Sequence, residues 1–219
     1  MAPTRPVPRA YDSSRRRAAT EATRTRILEA ARAIIGGKGN LDDFSMETVA
    51  TRAGVSRMTV YYQFESRAGL LDALADHLAL RGGMFRMREV FLEPSLPSAF
   101  RKLVETFVGF WASDRVTLRR MRAMAILFPK DAAGPRDRDA WRREAIANLL
   151  ARHRHRSSGS RNGASEDRLD LLATLTSFEV YDLLAQGSRS SEQIVDLLVD
   201  LGLRELGLAA PARSRGRPR

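Results

Sequence analysis

The segment Phe44-Ser-Met-Glu-Thr-Val-Ala-Thr-Arg-Ala-Gly-Val-Ser-Arg-Met-Thr-Val-Tyr-Tyr-Gln-Phe-Glu-Ser-Arg67 constrains this chain more tightly than any other. Ser45 is suited to cap a helix on which Met46, Val49, Ala50 and Ala53 recur on one face. Gly54 falls where that helix must stop in a left-handed residue, and Val55 turns the chain back toward the core. Ser56 then caps a second short helix with Val60 and Phe64 on its apolar side. Its other side carries Arg57, Thr59, Tyr61, Tyr62 and Gln63. Helix, tight turn and polar-faced helix make a helix-turn-helix, whose second helix can enter a DNA major groove.

In this register the segment resembles the DNA-binding head of the TetR family of transcriptional repressors. The residues carrying the resemblance are Phe44, Ser45, Val49, Ala50, Ala53, Gly54, Val55 and Ser56. They continue with Thr59, Val60, Tyr61, Phe64, Ser66, Arg67, Leu70 and Leu71. The match runs over roughly residues 21–75, about a quarter of the chain. Met58 stands where a glycine is common, Gln63 where His or Tyr is usual, and Arg67 and Ala68 where Lys and Glu are frequent. Arg67 keeps a positive charge for a phosphate, whereas Met58 and Gln63 bear on which bases are read.

The resemblance implies a homodimeric one-component regulator, a repressor rather than an activator, bound to a palindromic operator on double-stranded DNA. Thr59, Tyr61, Tyr62 and Gln63 form the reading set, since hydroxyls and an amide suit phosphates and base edges. Arg57, Arg67, Ser45, Ser56 and Thr25 are the expected backbone contacts, the serines also serving as caps. The ordinary alternative for either tyrosine is packing against the first helix.

The net charge of +11 fits a polyanionic partner, but most of it lies away from the head. Residues 1–20 hold five arginines against Asp12, and residues 211–219 hold four arginines and no acid. Residues 21–75 carry seven basic and seven acidic side chains. The head must therefore bind DNA through local placement rather than bulk charge. The ending Arg215-Gly-Arg-Pro218 resembles the core of an AT-hook, a minor-groove peptide; a solubilising tail explains it equally well.

Four segments are expected: a disordered basic arm over 1–19, the head over 20–67, a helical body over 68–208 and a disordered tail over 209–219. The fold class is all-α. A first helix starts near Thr20, a fourth near Ser66, and Pro94 and Pro97 mark a loop. Helices follow at about 98–112, 114–128, 137–154, 165–186 and 190–207, with a flexible loop over His153–Ala164. The last two helices are apolar around more than one stripe, so Leu172, Leu175, Leu183, Leu198 and Leu201 are expected at a dimer interface. Phe107, Trp111, Met121, Met124, Phe128, Trp141, Phe178 and Tyr181 recur at core spacing. Packed core is their commoner meaning; the resemblance implies that this region holds a pocket for a largely apolar small-molecule effector.

No run approaches the ~18 apolar residues a membrane span needs, and Met1 to Arg17 contains no apolar signal region. Neither a membrane partner nor a signal peptide is expected, and a cytoplasmic location is. The chain has no cysteine, and His153 and His155 sit among arginines, so no metal site is expected. His153 and His155 read as solvated loop residues. No cofactor is expected, and no nucleophile elbow, phosphate loop or placed His supports catalysis. Two rival classes remain. An effector-free architectural protein would cover A·T-rich DNA broadly rather than a discrete palindrome. An enzyme would show turnover that survives mutation of the head.

Overall fold

The structure is a computed structural model that describes residues 13–128, 133–154 and 166–208. Among them there is helix and turn but no strand, and the chain divides into two compact units, Met1–Arg67 and Ala68–Arg219. The fold is all-α, with a helix-turn-helix head followed by a helical body.

The first unit begins with α1 (Ser13–Ile35), which buries Ile27, Leu28, Ala30, Ala31 and Ile35. It ends at Gly36-Gly37, where the Gly36 N–H closes the last turn on the Arg32 carbonyl at 2.8 Å. The helix starts seven residues before the expected Thr20, so part of the anticipated disordered arm is helical. Arg15–Ala19 are all strong helix formers, and a helix already nucleated by the core extends at low cost. Residues 1–12 and 209–219, which hold the rest of both basic ends, lie outside the described residues.

A single 3-10 turn, Leu41–Asp43, leads to α2 (Met46–Ala53) and α3 (Arg57–Phe64). Eight-residue helices are marginal alone, so caps and burial must hold them. Ser45 accepts from the Thr48 N–H at 3.0 Å and Ser56 from the Thr59 N–H at 3.1 Å. Gly54 is left-handed (φ 64°, ψ 39°), a conformation that costs a side-chain-bearing residue about 1–2 kcal/mol. Val49, Val60 and Phe64 complete the small core.

The second unit contains most of α4 (Arg67–Arg81), with Leu70, Leu71, Leu74 and Leu78 buried as their spacing predicts. Gly82 ends it and Gly83 is left-handed (φ 84°). Two short pieces escape periodicity altogether, the 3-10 turn Met84–Arg86 and α5 (Met87–Val90). The central helix is α6 (Leu96–Ser113), against which α5 and four later helices pack. Pro97 belongs to its first turn rather than to a loop, where a missing N–H leaves no bond unmade, and Ser95 caps that turn. Asp114 then caps α7 (Arg115–Leu127). The next helix, α8 (Ala133–Arg154), carries His153 in its last turn, where the ring is buried rather than solvated as expected. His155 lies outside the described residues.

The helix expected over 165–186 is two helices, α9 (Glu166–Leu175) and α10 (Phe178–Leu184). The Thr176 hydroxyl donates back to the Leu172 carbonyl at 3.0 Å, and Ser177 turns out of the helix to cap the next. Hydroxyl side chains that bond the backbone locally compete with a continuing helix. Finally α11 (Ser191–Glu205) starts on a reciprocal capping box between Ser190 and Gln193. It crosses α6 closely at Gly202, where a Cβ would stand 2.3 Å from the Phe100 ring.

Candidate nucleic-acid interface

α3 has one buried edge and one displayed face. Val60 is fully buried, whereas Tyr62 is 86% exposed and Met58 74% exposed. Arg57 is exposed and Thr59, Tyr61 and Gln63 are half-buried. The Arg57 guanidinium donates to the Tyr61 hydroxyl at 3.4 Å and lies 5.3 Å from that ring's centre. This hydrogen bond holds the Arg57 pKa above its ordinary value, so the face keeps its charge at every pH of interest. Of the reading set, Tyr62 projects farthest, and Tyr61 is steadied by Arg57. Thr59 shares a 2.8 Å hydrogen bond with the Ser56 hydroxyl.

The flanking residues divide between anchoring and display. Ser45 bonds both the Thr48 N–H and the Thr48 hydroxyl, the latter at 2.8 Å, at the start of α2. Thr25 is exposed on α1. Arg67 donates to the Phe44 carbonyl at 3.3 Å and sits 5.4 Å from the Phe44 ring centre, so it pins the entrance to α2. Sequence reasoning missed Arg24, which donates to the Gln63 carbonyl at 3.0 Å and lies 4.5 Å from the Phe64 ring centre. That arginine closes the C-terminal end of α3, satisfying a carbonyl the helix itself cannot. Its signal was available, because Arg24 lies seven residues before Ala31 and so on the same helical face as the core stripe. Met58, which departs from the family pattern, stands on the displayed face.

Residues 27–74, which take in α2 and α3, match the family model described as bacterial regulatory proteins, tetR family. Over that stretch the chain is similar to the TetR family. Members of that family are transcriptional regulators rather than enzymes. Solved structures extend the likeness to the body as fold. A TetR-like transcriptional regulator from Rhodococcus sp. RHA1 is 22% identical, with 84% of this chain and 96% of that one covered at a TM-score of 0.63. A second Rhodococcus structure, a TetR-family regulator, reaches a TM-score of 0.67 at 19% identity, covering 83% of this chain and 99% of that one. NalD from Pseudomonas aeruginosa, described as the secondary repressor of the MexAB-OprM multidrug efflux pump, is 22% identical. It covers 85% of this chain and 96% of its own at a TM-score of 0.63. No curated protein matches the chain.

In the body, five of the eight expected pocket residues are packed core. Phe107, Trp111, Met124, Phe178 and Tyr181 are buried. The Trp111 ring lies 6.0 Å from Phe107 and 5.6 Å, edge-on, from Phe178, which is 6.5 Å from Tyr181. The Trp111 indole N–H donates to the Thr176 carbonyl at 3.3 Å. Met121 and Phe128 are half-buried, but Trp141 is 47% exposed on α8 and stands apart from the buried group. Spacing alone could not distinguish a lining position from a solvent-facing one.

Around this cluster runs a charged seam, with Arg122 over the Phe178 ring at 5.9 Å. Arg115 and Arg119 both bond Asp182, each with a contact of 2.7 Å, and Arg115 also donates to the Ala185 carbonyl. Arg122 pairs with Glu179 and, at 3.0 Å, with Asp139. Arg142 is buried and shares Asp139 at 2.7 Å. Burial alone would push the Asp139 and Asp182 carboxyls up, but hydrogen bonds and charge from their arginines hold both below the usual carboxylate value.

The expected dimer set also splits. Leu172 and Leu198 face their own core, with 0% and 2% exposed, so neither offers surface to a second chain. Leu175 is half-buried, while Leu183 and Leu201 are 66% and 42% exposed. Among the described residues no helix is long and apolar enough to cross a membrane, and no group of His, Asp and Glu could hold a metal.

Proposed function

We propose that the chain is a homodimeric transcriptional repressor that sets α3 into the major groove at each half of a palindromic operator. The observation that carries this reading is the Tyr62–Arg57 face of α3, displayed by a helix capped at Ser56 and closed by Arg24. Tyr62, Gln63 and Thr59 read base edges or adjoining phosphates, and Arg57 with Thr25 contacts the backbone. The exposed Leu183 and Leu201 on α10 and α11 supply the dimer contact, which sets the spacing of the two half-sites. An apolar small molecule lowers operator affinity by entering the Phe107–Trp111–Phe178 cluster, with flexible Met121 and Phe128 at its edge giving way. Such a ligand acts only through its differential affinity for two arrangements of the body and of α4, the chain's link to the head. A reducing cytoplasm suits this work.

Selection of bound fragments from genomic DNA tests the reading, followed by anisotropy with the selected site. A discrete palindrome is expected, and Tyr62→Ala should weaken binding to it by about 1–3 kcal/mol. Because Tyr62 is so exposed, the variant should keep the wild-type melting temperature. Broad A·T-rich coverage, or full affinity in the variant, refutes it.

A further inference from the structure

The first half of α1 has no core to serve. Residues 14–22 are exposed without exception, and the first fully buried side chain is Ile27. These turns also begin unfavourably. The first turn contains no acidic residue, and Arg15, Arg16 and Arg17 follow at once, where the helix dipole already presents partial positive charge. Residues 12–26 hold five arginines against Asp12 and Glu21. A stretch that buries nothing and carries net positive charge presents that charge to a polyanion.

The register says which way this charge faces. Residues 17, 20, 24 and 31 repeat at intervals of three, four and seven, so they lie along one face of α1. Ala31 on that face is buried in the head, and Arg24 one stage earlier touches the Gln63 carbonyl and the Phe64 ring at the end of α3. Seven residues farther out, about 10.5 Å along the axis at 1.5 Å per residue, the same face presents Arg17. The stripe that packs on α2 and α3 inside the head thus continues past the end of α3 as an exposed basic edge.

We infer that this edge is a second DNA contact: the N-terminal turns of α1 lie along the phosphate backbone flanking the groove that α3 enters, with Arg17 on the phosphates and Arg15 and Arg16 beside it. The inference rests on the proposed reading of α3. It goes beyond that reading by assigning a helix of fixed register, rather than a flexible charged arm, to the DNA outside each half-site. It adds affinity and footprint without changing the sequence selected, because phosphate contacts position and base contacts specify.

The test uses the full chain on its selected site, compared with three variants: Arg17→Ala, the triple Arg15→Ala/Arg16→Ala/Arg17→Ala, and Ala19→Pro. Salt titration of Arg17→Ala should lower the slope of log affinity against log salt by about 0.9 for each head, and the triple variant by more. Both should select the wild-type sequence, while phosphate-interference footprints lose positions outside the half-sites. Ala19→Pro retains every charge but breaks the exposed turns, and should lose the same outer footprint. Unchanged slope and footprint in the triple variant overturn the inference and leave the α3 reading standing. A wild-type result for Ala19→Pro alongside a deficient triple variant also overturns it, since a flexible arm then suffices. Absence of any selected site for the wild-type chain overturns both.

Discussion

Two glycines on helices of the body should respond to the same substitution with opposite signs. Gly202, on α11, faces α6 so closely that an added Cβ would stand 2.3 Å from two atoms of the Phe100 ring and 3.3 Å from a Leu172 methyl. Ordinary contact begins near 3.4 Å, so the ring would have to retreat by about 1 Å. Phe100 and Leu172 are both fully buried, and close-packed interiors offer little room for such a move. Overpacking of this kind costs about 1–3 kcal/mol and should sit at the upper end here. Against it stands about 1 kcal/mol gained by replacing a helical glycine with alanine. Gly202→Ala should therefore lose about 2 kcal/mol. Gly109→Ala on α6, where the new Cβ meets nothing within 4 Å, should gain up to about 1 kcal/mol. Urea denaturation reads both as shifts in midpoint at constant slope. Thermal melts should separate the two variants by roughly 6–12 °C. Phe100→Leu, introduced beside Gly202→Ala, should recover part of the loss by making room. A Gly202→Ala protein as stable as Gly109→Ala would refute the close approach of α6 and α11.

Two other perturbations probe the seam and the exposed leucines. Asp139 and Asp182 are held below the usual carboxylate value, so their stabilisation is fully present above the unfolded value of about 4. It is lost as pH falls through their lowered folded values. Asp182→Asn should cost about 1–2 kcal/mol at pH 7 and flatten the acid limb of stability measured by denaturation between pH 2 and 5. Leu201→Glu should leave a folded chain that sediments as a monomer and binds a half-site weakly, because Leu201 is 42% exposed. Leu198→Glu, at 2% exposed, should instead unfold the body, and equal behaviour of the two would refute the proposed division between core and interface.

What the sequence made legible follows from how local each signal is. The helix-turn-helix could be read residue by residue because every determinant lies within a few positions: Ser45 and its Thr48 N–H, Gly54 and its left-handed backbone, Ser56 and its Thr59 N–H. The same holds for Leu70, Leu71, Leu74 and Leu78, a stripe buried as its spacing predicts. Legibility failed where the deciding partner is remote in sequence. Arg24 reaches 39 positions to Gln63, and Arg115 reaches 67 to Asp182. Register puts Arg24 on the core-facing stripe of α1, but no local pattern names the partner of either arginine. The break at Thr176-Ser177 was hidden differently, since apolar periodicity runs on across it while two hydroxyls redirect the backbone.

The aromatic cluster marks a deeper limit, because one pattern serves two opposite purposes. Phe107, Trp111, Phe178 and Tyr181 recur at the spacing of a buried face, and a helix face is apolar whether it closes on a neighbour or on a ligand. Here the four rings touch in sequence, and Trp111 spends its N–H on the Thr176 carbonyl, the residue at which α9 gives way to α10. The joint between two helices is thus tied to the ring that an entering apolar molecule would have to move. Asp182 and Glu179, on the helix beyond that joint, are gripped from α7 by Arg115, Arg119 and Arg122. Displacing Trp111 would release the Thr176 carbonyl and strain those pairs together. On the proposed reading α10, with the exposed Leu183, is the element through which a ligand in the body would first alter the dimer contact.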